Sequence, residues 1–197
     1  RADVASRCLY GIDRDPLAVE TAKRALGACV GDGAPSFERS LATDDALVGD
    51  FMARFPAVAR AGGFDAFVGN PPWVRVHRIP AAERLSLRRR YPVYRAAAWE
   101  GGAGRAQAGR GFAAQVDLAA LFLERSLRLL RPGATMALLV PVKLWRSLAG
   151  GGVRRLLAEE SRVAMLEDFS DAPAAFDAAV YPSLVVAERW AGDHDGS

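Results

Sequence analysis

The chain has 197 residues, 51% of them hydrophobic and 25% charged, which is enough apolar material for one α/β domain with a sizeable core. No apolar run reaches the roughly 18 residues that a membrane-spanning helix needs, so no membrane partner is expected. The two cysteines, Cys8 and Cys29, do not make a disulfide framework, which predicts a reducing cytoplasm as the location. The two histidines, His77 and His194, leave little for a zinc site, so no metal is predicted.

The positive charge is concentrated in one segment. The chain has a net charge of +3, but residues 75–110 contain nine Arg and two Glu, a local balance of +7 that leaves −4 for the remainder. Such a segment is what phosphate binding needs. A solvated surface loop would have the same composition, so the charge alone leaves both interpretations open.

The first half of the chain alternates predicted strands and helices. A short strand over residues 7–12 is followed by Asp13 and by a helical pattern that begins at Pro16, a residue suited to the first turn of a helix. A weaker strand is predicted over residues 37–42. An apolar strand over residues 64–68 then leads into an unusual turn, and the basic segment follows that turn.

The second half of the chain continues the alternation. The elements predicted there are a helix over residues 117–130, a strand over 135–140, a helix near 153–158 and strands near 163–169 and 184–188. Several of these strands are apolar throughout, which is typical of a mostly parallel sheet covered by helices on both faces. Ligands of such α/β folds bind beyond the carboxyl ends of the strands. We therefore expect Asp13, Asp45 and Asn70, which each follow a strand, to face one crevice.

The unusual turn is GNPPW, residues 69–73, and its two prolines make it stiff. Each proline fixes its own φ and pushes the preceding residue into an extended conformation, so Asn70 and Pro71 are both held extended. The Pro71 carbonyl and the Asn70 side-chain oxygen then form adjacent acceptors that suit an –NH2 group and favour positive charge developing on it. Trp73 adds a flat face for a ring such as adenine. The alternative is a simple strand stop with Trp73 in the core.

Two acidic positions earlier in the chain suit a nucleoside cofactor. Asp13 follows an early strand and is placed to accept hydrogen bonds from both ribose hydroxyls. A second acid, in the stretch TDDALVG, suits the amino group of the cofactor's adenine. Taken singly, an acid after a strand is usually a cap or a turn residue. The order of these acids before GNPPW favours the functional interpretation.

With these motifs the chain resembles the amino-methylating DNA methyltransferases that use S-adenosylmethionine. It is most similar to the adenine-specific enzymes of type IIG restriction-modification systems and to related phage-defence methylases. The resemblance covers nearly the whole chain, in family order. It runs through LYGIDRDPLAVETAKRAL, DDALVG, GGFDAFVGNPPWVRV, DLAALFLERSLRLLRPGATMALLVPVKLWRS and AAFDAAVYPSLVVAER.

The resemblance implies a Rossmann-like S-adenosylmethionine-dependent methyltransferase fold. The catalytic core would span residues 1–190, with an Arg-rich, DNA-facing insert at 75–115 and a tail at 191–197. The family's glycine-rich cofactor loop would lie upstream of Arg1. We therefore expect a fold that is incomplete at its N-terminus and inactive alone. The loop and a target-recognition domain are expected as further parts of a longer chain.

The resemblance also implies site residues for the cofactor, S-adenosylmethionine. Asp13 would bind its ribose and Asp45 its adenine amino group. Asp50, in the sequence GDF, is a rival for the second role. The chemistry needs no strong general base, because the target nitrogen attacks a sulfonium methyl and its proton leaves afterwards. His77 is therefore interpreted as an exposed residue, and Lys143 is left open between a DNA contact and a strand end.

For the target, the resemblance implies methyl transfer to the exocyclic amino group of adenine in double-stranded DNA, after the base has been flipped out. Asn70 and Pro71, in a turn completed by Pro72, would hold that amino group. Trp73 and Phe176 would stack on the two faces of the base. The DNA phosphates would be held by arginines of the basic segment. These are Arg75, Arg78, Arg88, Arg89 and Arg90.

Five alternatives remain open. The same turn serves methylases of RNA adenine and of protein glutamine, and cytosine amino methylation is a further variant of the chemistry. A non-catalytic DNA-binding remnant is the alternative from another class. The absence of the glycine-rich loop supports it, and the intact GNPPW stretch argues against it. A dehydrogenase-like dinucleotide fold is the weakest alternative because it leaves GNPPW unexplained.

Overall fold

A computed structural model describes residues 2–31, 33–34, 36–96, 116–170 and 181–191. The chain divides into two compact units, Arg1–Arg60 and Ala61–Ser197, and each is described by itself. Phe176, the glycine-rich part of the basic segment and the tail beyond residue 191 lie outside the described residues. The single catalytic core over residues 1–190 stays a prediction.

The N-terminal unit contains a two-stranded parallel sheet with helices beside it. Its elements are α1 (Ala2–Cys8), β1 (Gly11–Asp13), α2 (Pro16–Val30), β2 (Leu41–Thr43), α3 (Phe51–Arg54) and α4 (Pro56–Arg60). Asp13 lies opposite Thr43 at the carboxyl ends of the two strands. Asp15 caps α2, since its side chain accepts a hydrogen bond from the Leu17 amide at 2.9 Å.

The predicted strand over residues 7–12 is wrong in its first part. Residues Ala2–Cys8 form a helix, and the strand occupies only Gly11–Asp13. The helix is held by packing, because Ala5 is buried in a cluster with Val19 and Phe37. The ladder is short because its partner strand supplies only three residues. Local sequence preference therefore gave way to tertiary contacts at this position.

The C-terminal unit contains a four-stranded sheet in the order β3-β4-β6-β5. Its strands are β3 (Phe64–Gly69), β4 (Leu130–Pro141), β5 (Ser161–Asp168) and β6 (Pro182–Arg189). Its helices are α5 (Ala81–Arg90), α6 (Pro92–Ala96), α7 (Leu118–Leu129), α8 (Lys143–Arg146) and α9 (Gly151–Glu160), with 3-10 turns at Val76–Arg78 and Leu148–Gly150. The predicted helices and strands of this half are thus present, with shifted ends.

The strand directions are mixed, whereas the sequence led us to expect a mostly parallel sheet. β3 and β4 are parallel, and a helical crossover that includes α5, α6 and α7 joins them. β6 is antiparallel to both β4 and β5. An antiparallel neighbour needs no helical crossover, so a strand that follows β5 without an intervening predicted helix can turn back beside it. The start of β6 consequently lies next to the end of β4.

The core of this unit lies between α7 and the central strands. Leu121, Leu123 and Leu127 of α7 are fully buried, as are Met136 and Leu138 of β4. Burying these side chains removes a large apolar area from water, and each Å² of that area stabilises the fold by roughly 25 cal/mol. Among the described residues, no helix has both the length and the apolar character needed to cross a membrane.

Candidate active site

The acidic residues predicted for the cofactor lie at the carboxyl ends of β1 and β2. The Asp13 backbone oxygen accepts a hydrogen bond from the Asp44 amide at 3.0 Å, so the two strand ends are adjacent. Asp13 Oδ1 accepts from the Asp15 amide at 2.8 Å, which orients an exposed carboxylate. Its second oxygen has no hydrogen-bond partner within the described ranges, and it is available to a ligand.

Asp45 is linked to the end of β1. Its Oδ1 accepts from the Leu47 amide at 2.8 Å, and its Oδ2 lies 3.6 Å from Nε of Arg14, the residue after β1. The Asp45 side chain is 24% exposed. The ion pair brings Asp45 towards the residues that follow Asp13, although a pair with so exposed an arginine contributes little stability.

Asp50, the rival of Asp45, has a local structural role. Its Oδ1 accepts a hydrogen bond from the Ala53 amide at 3.0 Å, and it is the N-cap of α3. An N-cap of this kind stabilises a helix by about 1 kcal/mol. Within the described ranges, no three His, Cys, Asp or Glu side chains lie close enough together to hold a metal ion.

In the C-terminal unit, the GNPPW turn begins where β3 ends, at Gly69. Asn70, the only asparagine of the chain, is exposed, and Pro71 is buried. Neither the Asn70 side-chain amide nor the Pro71 carbonyl makes a hydrogen bond within the described part of the chain. Both acceptors are therefore available. The half-buried Trp73 is anchored, since its Nε1 donates to the Leu139 carbonyl at 3.3 Å.

The residues after the turn are tied to the start of α7. The Leu118 amide donates to the Val74 carbonyl at 2.8 Å, and the Val76 amide donates to the Val116 carbonyl at 2.9 Å. Between these two bonds, Arg75 and Asp117 form an isolated antiparallel bridge. The turn is thus attached at one side to β4 through Trp73 and at the other side to the N-terminus of α7.

A cavity of about 410 Å³ lies beside Trp73. This volume is within the range of roughly 300–1,000 Å³ that is usual for small-molecule sites. The lining residues come from the turn, the start of α7, the end of β4 and the start of β6. They are Trp73, Arg75, Arg78, Asp117, Pro141, Val142, Lys143 and Tyr181. Asn70 and Pro71 precede Trp73 in the chain and do not line the cavity.

The charge of the cavity lining is predominantly positive. Arg75, Arg78 and Lys143 face one acid, Asp117, and none of the three cations forms an ion pair among the described residues. Burial raises the pKa of Asp117, and the hydrogen bond from the Ala119 amide and the charges of Lys143 and Arg75 lower it by less. The cavity therefore favours an anionic group at its cationic side.

The other three arginines predicted for the DNA phosphates lie on α5. Arg88, Arg89 and Arg90 form its last turn and are exposed. Arg95 stabilises this end, since its Nη1 donates to the Arg89 carbonyl at 2.6 Å. Of the five predicted phosphate contacts, Arg75 and Arg78 line the cavity and the α5 arginines do not.

Among the polar and aromatic cavity residues, Tyr181 had no predicted role, and Lys143 was left open between a DNA contact and a strand end. Lys143 lies two residues after the end of β4, close to a strand end as Asn70 is, so the rule that ligands bind at strand ends would have selected it. Tyr181 precedes β6, and it reaches this end of the sheet only because β6 runs antiparallel to β4. No local sequence signal indicates that direction. The predicted second base contact, Phe176, lies outside the described residues.

The comparison with known proteins identifies the family. Residues 7–176 match the Eco57I restriction-modification methylases. The chain belongs to this family. It is similar to the type II methyltransferase M.PaeR7I of Pseudomonas aeruginosa, at 30% identity over 132 residues, which is 66% of this chain and 20% of that protein. M.XhoI of Xanthomonas vasicola is 29% identical over 127 residues, with coverage of 64% and 20%.

The solved structures similar to this Eco57I-type methylase chain support the fold. A class I S-adenosylmethionine-dependent methyltransferase of Listeria monocytogenes has a TM-score of 0.59 at 16% identity, covering 96% of this chain and 46% of that one. The DrdV protein in a DNA complex has a TM-score of 0.65 at 13% identity, with coverage of 97% and 21%. The predicted Rossmann-like methyltransferase fold and the restriction-modification family are confirmed. The chain spans about a fifth of the length of the curated relatives that it matches.

Proposed function

We propose that the intact protein transfers a methyl group from S-adenosylmethionine to the exocyclic amino group of adenine in double-stranded DNA, as the modification activity of a restriction-modification or phage-defence system. The observation that carries the proposal is the GNPPW turn, a strand end with two available acceptors on Asn70 and Pro71 beside an anchored Trp73. Family membership supports the reaction class.

The acids of the N-terminal unit fit the cofactor. Asp13 has one oriented and one available carboxylate oxygen, which suits a pair of ribose hydroxyls. Asp45, linked through Arg14 to the end of β1, is assigned to the cofactor's adenine amino group, and Asp50 is assigned to capping α3. When bound, S-adenosylmethionine supplies an electrophilic methyl group on its sulfonium sulfur.

The chemistry of this chain at the target is charge stabilisation. The Asn70 side-chain oxygen and the Pro71 carbonyl accept hydrogen bonds from the target –NH2 group and orient its lone pair. The same two dipoles favour the positive charge that develops on the nitrogen as it is alkylated. Because the prolines hold both acceptors in an extended backbone, little reorganisation is needed during the reaction.

The base must leave the duplex to reach this turn, at a cost of roughly a few kcal/mol. Stacking on an aromatic ring returns on the order of 1–3 kcal/mol per base. The indole of Trp73, fixed by its hydrogen bond to Leu139, lines a cavity of suitable volume for that purpose. Phe176 keeps its proposed role on the other face of the base.

Double-stranded DNA is the proposed partner, and the basic segment supports it. The exposed arginines of α5 and of the cavity give this surface the charge that counterion release requires. The greater length of the relatives supports further domains in the same polypeptide, including one that carries the cofactor loop and one that selects the DNA sequence.

The decisive experiment is methyl transfer from labelled S-adenosylmethionine to unmodified DNA by the intact protein, with the modified base identified after digestion. We expect labelled N6-methyladenine. Asn70→Ala should reduce the rate by roughly 10²–10³-fold, because it removes one of the two acceptors. Thr21→Ala, on the exposed surface of α2, is the matched control and should leave the rate unchanged.

The alternatives predict different labels. Label in RNA or in protein, but not in DNA, would show that the substrate is not DNA. The GNPPW turn would keep its proposed role of holding the amino group that is methylated. Label on cytosine would change the base and keep the DNA. Salt-sensitive DNA binding with no label in any polymer would overturn the proposal in favour of a non-catalytic DNA-binding protein.

A further inference from the structure

The cavity beside Trp73 contains two side chains that the proposed function does not yet use, Tyr181 and Lys143. They come from different strand ends. Lys143 begins α8, with one residue between it and the end of β4, and Tyr181 precedes the first residue of β6. Both belong to the C-terminal unit, so the cavity is formed entirely within one compact part of the chain.

Tyr181 is held at the cavity by its backbone. Its carbonyl accepts a hydrogen bond from the Val142 amide at 2.9 Å, and the next residue, Pro182, is paired with Pro141 in the ladder of β4 and β6. Val142 and Pro141 line the same cavity. The position of Tyr181 is therefore set by the sheet.

The Tyr181 ring is not used for packing. It is 60% exposed, in contrast to Tyr91 and Tyr94 of the same unit, which are buried. A tyrosine of a core packs its ring inside, and an exposed ring on a cavity wall leaves apolar surface open to a ligand. The cavity already has one aromatic wall residue in Trp73, so Tyr181 adds a second.

Lys143 adds a positively charged side chain to the cavity lining. It makes no ion pair within the described ranges. Burial raises the pKa of Asp117 and the charge of Lys143 lowers it by less, but that carboxylate already accepts a hydrogen bond from the Ala119 amide. Arg146, on the same helix, contrasts with it, because its Nη2 lies 2.6 Å from Asp168 Oδ2. Lys143 is thus the cation of α8 that remains available to an anion.

We propose that this cavity receives the ring of the extruded base and the adjoining phosphate, while the amino group of the base stays at the Asn70 and Pro71 acceptors next to the lining. Tyr181 is a further aromatic contact for the base, and Lys143 is a contact for the phosphate. The inference rests on the proposed function and deepens it. It does not require Phe176. It gives Tyr181 a role that no sequence motif indicated, and it assigns to Lys143 the DNA contact that the sequence left open. Tyr181 acts through its ring, and Lys143 acts through its charge, so the two roles can be separated.

The first test measures stacking without methyl transfer. The intact protein is titrated with single-stranded oligothymidylate that carries one central 2-aminopurine, whose fluorescence is quenched when the base stacks. We expect strong quenching with the unaltered protein and with Tyr181→Phe, which keeps the ring. Tyr181→Ala should lower the affinity by roughly 5–150-fold, the range that corresponds to losing one base stack. Equal quenching in all three proteins would overturn the role of Tyr181.

The second test measures whether the charge of Lys143 contacts a DNA phosphate. The slope of log affinity against log salt for duplex DNA should become shallower by about 0.9 in Lys143→Gln, since one phosphate contact is lost. Arg146→Gln is the matched control and should leave the slope unchanged. Tyr181→Ala should also leave the slope unchanged while raising KM for DNA more than KM for the cofactor. An unaltered slope in Lys143→Gln would overturn the role of that lysine.

These readouts separate the two proposals. If the intact protein binds DNA but transfers no methyl group, the proposed function fails, and the fluorescence and salt measurements still decide the roles of Tyr181 and Lys143. If the protein methylates DNA while Tyr181→Ala and Lys143→Gln match the unaltered protein in every readout, the proposed function stands and this inference fails.

Discussion

Asp117 shows how one residue can serve the fold at an electrostatic cost. It caps α7, accepting a hydrogen bond from the Ala119 amide at 3.1 Å, yet its side chain is only 3% exposed. Burial raises the pKa of its carboxyl group despite the opposing hydrogen bond and the charges of Lys143 and Arg75. Because the net shift is upward, the ionised form of Asp117 is less favourable in the folded protein than in the unfolded chain.

The sign of this shift predicts the effect of removing the charge. A raised carboxyl pKa contributes stability that is complete below the ordinary value of 3.8 and is lost as the pH rises through the folded value. Asp117→Asn keeps a capping oxygen and removes the charge, so at pH 7 it should be at least as stable as the unaltered protein. The stability of Asp117→Asn relative to the unaltered protein should decrease as the pH falls towards 3.8. Urea unfolding midpoints across this range provide the measurement.

Asp117→Ala is the control for the cap itself. It removes the charge and the hydrogen bond together, and loss of an N-cap typically costs about 1 kcal/mol. The asparagine variant should therefore be more stable than the alanine variant at every pH. If both variants are destabilised equally at pH 7, the charge of Asp117 is not a net cost and the interpretation is wrong.

At the scale of single elements, the 3-10 turn Leu148–Gly150, which follows α8, requires a close approach between backbone atoms. Arg154 of α9 donates through Nη1 to the carbonyls of Leu144 and Ser147, at 3.0 and 2.8 Å. A Cβ atom at Gly150 would overlap the carbonyl oxygen of Leu144. This turn fixes α8, and α8 places Lys143 at the cavity.

Two neighbouring glycines make this prediction testable. Gly150→Ala should destabilise the protein by about 1–3 kcal/mol, because the carbonyl of Leu144 has to move. Gly151→Ala is the matched control, since its Cβ would meet only Arg154 Nη2 at 3.8 Å and its backbone is already helical. That variant should be unchanged, or up to about 1 kcal/mol more stable. Thermal unfolding compares the two, and equal stability would contradict the close approach.

A buried carboxylate connects two other elements. Glu124 of α7 is fully buried, and its Oε2 accepts a hydrogen bond from the Val93 amide at the start of α6 at 2.9 Å. Its Oε1 pairs with Arg128 Nε at 2.9 Å. This carboxylate therefore accepts a hydrogen bond from an amide in the first turn of α6, which has no partner within the helix. Helix α6 follows the α5 arginines.

Removing the Glu124 carboxylate should loosen this connection. Glu124→Ala leaves the Val93 amide without a partner and leaves Arg128 with only its longer ion pair to Glu160, at 3.8 Å, which predicts a loss of about 2–4 kcal/mol. Glu159→Ala should change stability by less than about 0.5 kcal/mol, because its pair with Arg155 is exposed. Chemical denaturation measures both, and a small effect at Glu124 would contradict a structural role for the buried carboxylate.

At the scale of the whole molecule, the positive charge is concentrated in one segment, which suits the proposed DNA partner. The net charge of +3 combines a basic segment at +7 with a remainder at −4. The exposed end of α5 carries three consecutive arginines, and the cavity contributes Arg75 and Arg78. Counterion release makes the affinity of such a surface for DNA fall steeply with salt.

Replacing the exposed arginines of α5 tests how much this surface contributes to DNA binding. Replacing Arg88, Arg89 and Arg90 by Gln in the intact protein should make the salt slope shallower by about 2.7, or 0.9 per phosphate contact. The maximal rate of methyl transfer at low salt should stay the same, because these side chains lie outside the cavity. Replacing Arg24 and Arg155, which pair with Glu20 and Glu159, is the control. A slope that responds equally to both replacements would argue against a specific DNA-facing surface.

Local patterns in the sequence were sufficient for the element types of the C-terminal unit and for the end of β3. The apolar run before Gly69 predicted β3, and the two prolines after Asn70 predicted where it stops. Asp13 is the last residue of β1, where the sequence predicted it just past the strand, and Asp45 follows β2, the parallel neighbour of β1. These features depend on φ restriction and hydrophobic periodicity, and both act over a few residues. Whether Asn70 shares a crevice with these acids stays a prediction.

Other features required the tertiary structure. Ala2–Cys8 became a helix because Ala5 packs into a cluster with Val19, and no local signal indicated that contact. The buried pairing of Glu124 with the Val93 amide joins residues 31 positions apart. Such contacts depend on which surfaces meet after folding.

The sequence by itself determined the local form of the GNPPW turn, because Asn70, Pro71, Pro72 and Trp73 are consecutive and the prolines restrict the backbone whatever surrounds them. Only the tertiary structure decided what stands opposite that turn. Tyr181 follows Trp73 by more than 100 residues, and it lines the same cavity because β6 pairs antiparallel with β4. Strand direction follows from the packing of the whole sheet, and no local stretch of sequence encodes it.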